Sequence, residues 1–311
     1  MNTRKLAFVL FVVVTVLLSA CAPAAQAGVP AAPAALKPAE PAKPYMPPAA
    51  FDMKATLDKY LSNLPADFGT IMPAALKDQI ASGKVSIVDV RTPQELADNG
   101  FIEGAINIPL RMLAKNLDKL PQDKASPIVT YCAIGHNGAQ AMMALSLLGY
   151  TNAKSLVGGF SAWKAANLPI VTGKPADSKP SPAPHADKGL LATLDTYLSS
   201  LPGDFGTIQA AALYDRLSSA QRQPFVLDVR TPQELTDNGY IAGSVNVPLR
   251  TLIQNLDKLP QDKASPIITY CAIGHNGAQA MMALSLLGYT NVKSLVGGFA
   301  AWKAANLPIA K

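Results

Sequence analysis

Cysteine is scarce, with three in 311 residues, and histidine is equally rare. Cys21, Cys132 and Cys271 cannot form a zinc framework, so no metal and no cofactor is expected. Each half of the chain that reads as folded holds a single cysteine, which leaves no disulfide within either half. A Cys132–Cys271 bridge stays open, and it would join two loops instead of stapling a fold. Lysines and arginines nowhere cluster among aromatics, which are 6% of the chain, so no nucleic-acid partner is expected. The net charge of +6 is modest, suits small anions better than a polyanion, and otherwise reads as solvated lysine. The apolar stretch Leu6 to Leu18 is shorter than a membrane span requires. That stretch and many linker alanines also inflate the 49% apolar fraction, which overstates the core.

What is present begins with the features of an export signal: a basic head at Arg4 and Lys5, the apolar stretch, and then Leu18-Ser19-Ala20-Cys21. That tetrapeptide resembles the lipobox of bacterial lipoproteins. The resemblance implies cleavage before Cys21, lipidation of Cys21, and a mature protein anchored on the extracytoplasmic side of a bacterial membrane, periplasmic or cell-surface. The other reading is an ordinary signal peptide cut after Ala25-Gln26-Ala27, with Cys21 discarded. Residues 1–20 are thus read as signal peptide and 21–50, rich in Ala and Pro, as an extended tether. A second Pro-rich stretch over 172–188, with Pro175, Pro180, Pro182 and Pro184, reads as a linker.

The linker separates two copies of one unit, 51–171 and 189–311. Ala55-Thr-Leu-Asp-Lys-Tyr-Leu61 returns as Ala192-Thr-Leu-Asp-Thr-Tyr-Leu198, and Gln122 to Ile170 differs from Gln261 to Ile309 at only Val129/Ile268, Ala153/Val292 and Ser161/Ala300. Repeats of about 120 residues are domains, since solenoid units run to about 20–50. The pair reads as a tandem duplication, with each copy working independently on the linker. Within a copy, strands and helices alternate. Pro73 to Ala81 reads as a helix, Val85 to Val90 as a strand, and Thr92-Pro-Gln-Glu95 as a capping box opening the next helix. A short strand follows in Gly104 to Pro109, then a helix from Arg111 to Leu120 and a strand from Ile128 to Tyr131. Asn137 or Gly138 starts another helix; Ser155 to Val157 and Phe160 to Ala166 are the last strand and helix. Alternation with continuous apolar strands implies an α/β fold with a parallel sheet covered on both faces.

Cys132 and Cys271 sit where the central strand turns into a helix, the carboxyl edge at which such sheets bind ligands. The loops read Cys132-Ala-Ile-Gly-His-Asn-Gly138 and Cys271-Ala-Ile-Gly-His-Asn-Gly277. A glycine-bearing loop ahead of a helix turns its main-chain N–H groups toward one point and binds anions. A cysteine at that point is expected to have a lowered pKa and to react as thiolate. The amides of Ala133, Ile134, Gly135, His136, Asn137 and Gly138, and of Ala272, Ile273, Gly274, His275, Asn276 and Gly277, form the expected binding loops. His136 and His275 are the only ionisable side chains in them; one reading has them polarise an incoming anion, the other has them face solvent. Asp89 with Arg91 and Asp228 with Arg230 read as structural ion pairs at strand ends in preference to catalytic groups. Trp163, Trp302, Met142, Met143, Met281 and Met282 read as packing, and Asn107 and Asn246 as turn holders.

Four ordered motifs carry a family resemblance: Val88-Asp-Val-Arg-Thr-Pro-Gln-Glu95, Gly104-Ala-Ile-Asn-Ile-Pro109, the Cys132 loop, and Val157-Gly-Gly-Phe-Ser-Ala-Trp163, with counterparts around Asp228, Gly243, Cys271 and Gly297. Together they resemble a rhodanese domain over nearly all of both repeats. The resemblance implies two tandem rhodanese-like domains, each a central, about five-stranded parallel sheet with helices on both faces. It implies a sulfurtransferase in which Cys132 and Cys271 take up sulfane sulfur as persulfide and pass it on. The partners it implies are a small sulfur anion, polysulfide or thiosulfate, and a thiol or cyanide-like acceptor.

The chain departs from the family pattern in ways that bear on the donor. Loops of this family often read Cys-Arg-x-Gly-x-Arg; here those positions are Ala133 and Asn137, and Ala272 and Asn276, without arginine. The absent charge points from thiosulfate toward a softer donor such as polysulfide or a protein persulfide. The histidine common ahead of Gly-Ala is replaced by Phe101 and Tyr240. One rival, a phosphatase or arsenate reductase of the same architecture, requires Cys-x5-Arg, and the matching positions are Gly138 and Gly277. The other is a non-catalytic sulfur carrier or partner-docking module at the membrane.

Overall fold

The computed structural model describes residues 52–178, 182–219 and 223–311. The export signal, Cys21 and the tether lie outside the described residues. Among the described residues no helix is long and apolar enough to cross a membrane.

The first repeat runs α1 (Met53–Ser62), β1 (Thr70–Ile71), α2 (Pro73–Ala81), β2 (Ser86–Asp89), α3 (Pro93–Asn99), β3 (Ile106–Asn107), β4 (Ile128–Tyr131), α4 (His136–Leu147), β5 (Ala153–Leu156) and α5 (Gly159–Ala165). The second runs α6 (Lys188–Ser200), β6 (Thr207–Ile208), α7 (Ala210–Ser218), β7 (Phe225–Asp228), α8 (Pro232–Asn238), β8 (Val245–Asn246), β9 (Ile267–Tyr270), α9 (His275–Leu286), β10 (Val292–Leu295) and α10 (Gly298–Ala304). Each repeat forms a five-stranded sheet, ordered β1-β5-β4-β2-β3 and β6-β10-β9-β7-β8. All pairings within them are parallel. β4 and β9, the central strands, are buried at every residue, as a sheet covered on both faces requires. The capping box forms as read: Thr92 accepts from Glu95 N while the Glu95 carboxylate accepts from Thr92 N.

The segment read as a helix from Arg111 to Leu120 is instead two short 3₁₀ stretches, Leu110–Lys115 and Leu117–Lys119, interrupted at Asn116, which has φ −125°. Asn116 Nδ2 donates back to the Met112 carbonyl, one way an asparagine competes with helix continuation. The same break recurs at Asn255 within Leu249–Lys258.

The repeats are not packed as independent bodies. The described residues belong to one compact unit. One face of each sheet has its own apolar core, under Trp163 in the first repeat and Trp302 in the second. The opposite faces share a single core to which both repeats contribute. The opening helices cross over: α1 packs on the 3₁₀ segment Leu249–Lys258 of the second repeat, and α6 on Leu110–Lys115 of the first. Their stripes explain this. Met53, Leu57 and Leu61, and Leu190, Leu194 and Leu198, recur every four residues and are buried. Each such side chain contributes roughly 1.5–3 kcal/mol when it leaves water, which favours docking over a free linker-borne helix. α4 and α9, the helices that follow the cysteine loops, pack against each other.

Candidate functional site

β4 delivers Cys132 and β9 delivers Cys271, both free thiols and both 3% exposed. The loop after each cysteine bends tightly over the sulfur. Gly135 N–H donates to Cys132 Sγ at 3.1 Å, and Gly274 N–H to Cys271 Sγ at 3.1 Å. Gly135 has φ +92°, and a Cβ there would come within 3.2 Å of Gly158 N, so both conformation and space require glycine. α4 begins immediately after, with Gly135 as its N-cap, so first-turn N–H groups face the sulfur.

Burial pushes the Cys132 thiol up from its ordinary value, while main-chain amides of Gly138, Ile134, Gly135 and Asn137 draw it down; burial wins. Cys271 behaves the same way, with Gly277, Ile273, Gly274 and Asn276 opposing burial. This corrects the expectation of a depressed thiol. The amides converge as expected, but with no cation beside it the desolvated thiolate stays disfavoured. Of the loop, Ala133 supplies its carbonyl, which accepts from Ser161 N at 2.9 Å. Ile134 and Ile273, two positions after the cysteines, are exposed.

His136 and His275 follow neither reading made for them. They are buried, and burial lowers both to about 4, so they are neutral at physiological pH. Each ring meets a main-chain carbonyl of the other repeat: His136 Nε2 lies 3.4 Å from Phe205 O, and His275 Nε2 lies 3.2 Å from Phe68 O. A carbonyl only accepts, so Nε2 carries the proton. The turn supplying Phe205 is held by Arg111, whose Nη2 donates to Leu201 O (2.8 Å) and Pro202 O (2.7 Å) and whose guanidinium lies 4.6 Å from the Phe205 ring centre. Arg250 does the same for Leu64, Pro65 and Phe68.

Asp89 and Arg91 form a buried ion pair. Nη2 reaches Oδ2 at 2.6 Å and also donates to Gly100 O at 2.8 Å, and the guanidinium stacks 4.1 Å from the Phe160 ring centre. Asp228 and Arg230 repeat the arrangement on Gly239 O and Phe299. Neither pair contacts a cysteine loop amide; they lock the end of β2 or β7. Asn107 Nδ2 donates to Asp89 O and Arg91 O, closing the same corner. A cleft lined by Leu96, Lys119 and Pro175 includes neither thiol nor any residue of the cysteine loops.

Sequence reasoning left some positions out of the site. Gly159, at φ +58°, lies so close beneath the loop that a Cβ would run into Cys132 O and come within 2.6 Å of Gly135 N. Phe160 N–H donates to Cys132 O at 2.7 Å, so the start of α5 is the floor of the cradle. The Gly158-Gly159 dipeptide after a strand was the available signal. Thr130 Oγ1 ties down the far end of the loop by donating to Gly138 O at 2.8 Å. The contributions of Phe205 and Phe68 to the opposite loops had no local signal.

The sequence of both repeats matches known proteins. The rhodanese-like domain family profile matches residues 72–166 and again 209–305. The probable adenylyltransferase/sulfurtransferase MoeZ of Mycobacterium tuberculosis is 40% identical over 97 residues, which are 30% of this chain but 24% of MoeZ. The chain thus spans about a quarter of that relative's length. The human thiosulfate:glutathione sulfurtransferase is 31% identical over 106 residues, covering 30% of this chain and 91% of the human protein. A rhodanese-related protein of Thermoplasma volcanium is 35% identical, over 33% of this chain and 95% of its own, with a TM-score of 0.30. Two matched segments, each with its cysteine at the same strand-to-helix turn and a five-stranded parallel sheet behind it, mean that the chain belongs to the rhodanese-like family and carries that domain twice.

Proposed function

We propose that each repeat is a sulfurtransferase site working through a cysteine persulfide, with polysulfide or a protein persulfide as donor in preference to thiosulfate. The observation that carries this is the ring of main-chain donors on Cys132 Sγ and Cys271 Sγ, headed by Gly135 and Gly274, in loops that contain no lysine or arginine. A thiol that burial keeps protonated needs a donor that also takes a proton. A polysulfide dianion does both: the cysteine sulfur bonds to a terminal sulfur, the adjoining S–S bond breaks, and the shortened polysulfide leaves with the thiol proton. The product is a persulfide anion whose charge sits one sulfur beyond Sγ. An acceptor thiolate or cyanide then attacks that outer sulfur, the S–S bond breaks, and the cysteine leaves as thiolate and takes up a proton from solvent. The donor is reduced and the acceptor oxidised as the sulfane sulfur passes between them, so no separate oxidant or reductant is needed. The exposed Ile134 and Ile273 suit a soft, weakly hydrated donor better than a sulfonate-like one.

The phosphatase reading lacks its arginine: the matching positions are Gly138 and Gly277, and a Cβ at Gly138 would sit tightly, 3.0 Å from Ser155 Oγ and 3.2 Å from Tyr131 Cα. The sulfur-carrier or docking reading draws on the deep burial of both thiols.

The reading also includes export and lipidation at Cys21, with residues 21–50 as tether, 172–188 as linker, and the sites facing the extracytoplasmic space. Steady-state transfer to cyanide, followed as thiocyanate, tests the chemistry. Turnover with polysulfide should exceed that with thiosulfate, and Cys132→Ser with Cys271→Ser should abolish both. Sulfur uptake without turnover would support the carrier reading. Cys21→Ala should move the protein from the membrane fraction of a bacterial host to the soluble one.

A further inference from the structure

Each sulfur loop is braced by a tyrosine from the other repeat. Tyr197, on α6, donates its hydroxyl to Gln140 Oε1 at 2.6 Å. Gln140 lies on α4, is fully buried, and turns its Nε2 toward Asn137 Oδ1 at 3.4 Å. Asn137 belongs to the loop, and its main-chain N–H is one of the donors acting on Cys132. The mirror arrangement runs from Tyr60 on α1 through Gln279 (2.7 Å) to Asn276 (3.3 Å) and the Cys271 loop. A buried primary amide has two ends to satisfy, and a hydroxyl that donates to its oxygen leaves the NH2 end for the other partner. With Tyr197 donating to Oε1, Nε2 is the end that faces the loop asparagine.

We infer that Tyr197 and Tyr60 are positioning residues for the sulfur loop of the opposite repeat, acting through Gln140 and Gln279, so that neither cysteine site is complete without the other repeat. The inference rests on the reading that the loop amides stabilise negative sulfur at the cysteine. Neither tyrosine reaches a thiol in the hydrogen bonds that define these chains, and neither is assigned to the chemistry.

The test uses the full chain with Tyr197→Phe and, separately, Tyr60→Phe. Each variant is pulsed with iodoacetamide across a pH series, digested with trypsin, and read peptide by peptide. The peptides 125–154 and 264–293 differ at Val129/Ile268 and Ala153/Val292, so the two cysteines are separable by mass. The charges acting on His136 come from Asp204 of the opposite turn and His275 of α9, and Tyr197→Phe leaves all three in place; burial holds Tyr197 itself well above its ordinary value. Accessibility sets the plateau of each alkylation profile, while thiolate stability sets its midpoint. Loss of one hydrogen bond in the chain should lower the Cys132 thiolate fraction by about threefold in Tyr197→Phe, moving its midpoint to higher pH. The Cys271 midpoint should stay in place, and Tyr60→Phe should give the converse. Gln140→Leu should reproduce the Tyr197→Phe shift, and the double variant should add little to it. Any other pattern overturns the inference: no shift, a shift at the cysteine of the tyrosine's own repeat, or equal shifts at both. Alkylation needs no sulfur donor, so a failure of sulfur uptake leaves this test readable and falls on the proposed function alone.

Discussion

At the scale of single residues, the site is a contest between burial and main-chain hydrogen bonding. Cys132 and Cys271 lose it as thiolates, because nothing cationic offsets their desolvation. The histidines sharpen the point. With a folded-state value of about 4 against about 6.5 unfolded, His136 and His275 bind fewer protons in the folded state throughout that window. Folding stability therefore falls as pH drops from about 6.5 toward 4, and the loss is complete below the folded value. Thermal melts across that range should show the fall. Replacing both histidines with glutamine should flatten the part they contribute, leaving only the carboxylates; an unchanged slope would mean that the histidines titrate freely. The sequence made the cysteine loops plain, because residue type and spacing within seven positions define them. It could not give the burial of the histidines, since Phe205 and Phe68, which cover them, lie 69 and 207 residues away.

At the scale of elements, the strands and most helices were legible from local pattern: apolar runs for β2 and β4, the Thr92 capping box for α3, the glycine loop ahead of α4. The 3₁₀ segments were less so, because Asn116 and Asn255 break the helix through their own side-chain bonds while the apolar spacing continues past them. α6 is the element whose placement matters most. Leu194→Ala, at a fully buried position, should cost about 2–5 kcal/mol. Because α6 packs on the first repeat, the loss should appear as a single shifted transition and not as melting of the second repeat alone. Gly159→Ala should do less to the melt than to the chemistry: the added methyl pushes on the Cys132 carbonyl and Gly135 amide, so sulfur uptake at Cys132 should fall while Cys271 loads normally, which site-resolved mass spectrometry would show.

At the scale of the whole molecule, the duplication is a built pair. Exchange of α1 and α6 and the contact of α4 with α9 join two sheets through a common core. Duplication was visible in the sequence, but exchange was not: α1 and α6 carry the same stripe, and a stripe does not say which copy it covers. Since the two docking surfaces are near copies, residues 52–171 produced alone should self-associate into a dimer that mimics the tandem, as read by light scattering. A folded monomer would contradict the exchange.

Sulfur transfer at either cysteine requires that main-chain amides hold a persulfide anion with no arginine in the loop. The direct measurement is the intact mass of the full chain after exposure to polysulfide, before and after cyanide. Two sulfurs should be gained per chain and both lost to cyanide, with one in Cys132→Ser or Cys271→Ser and none in the double variant. A chain that gains no sulfur on either cysteine would contradict the proposed transfer.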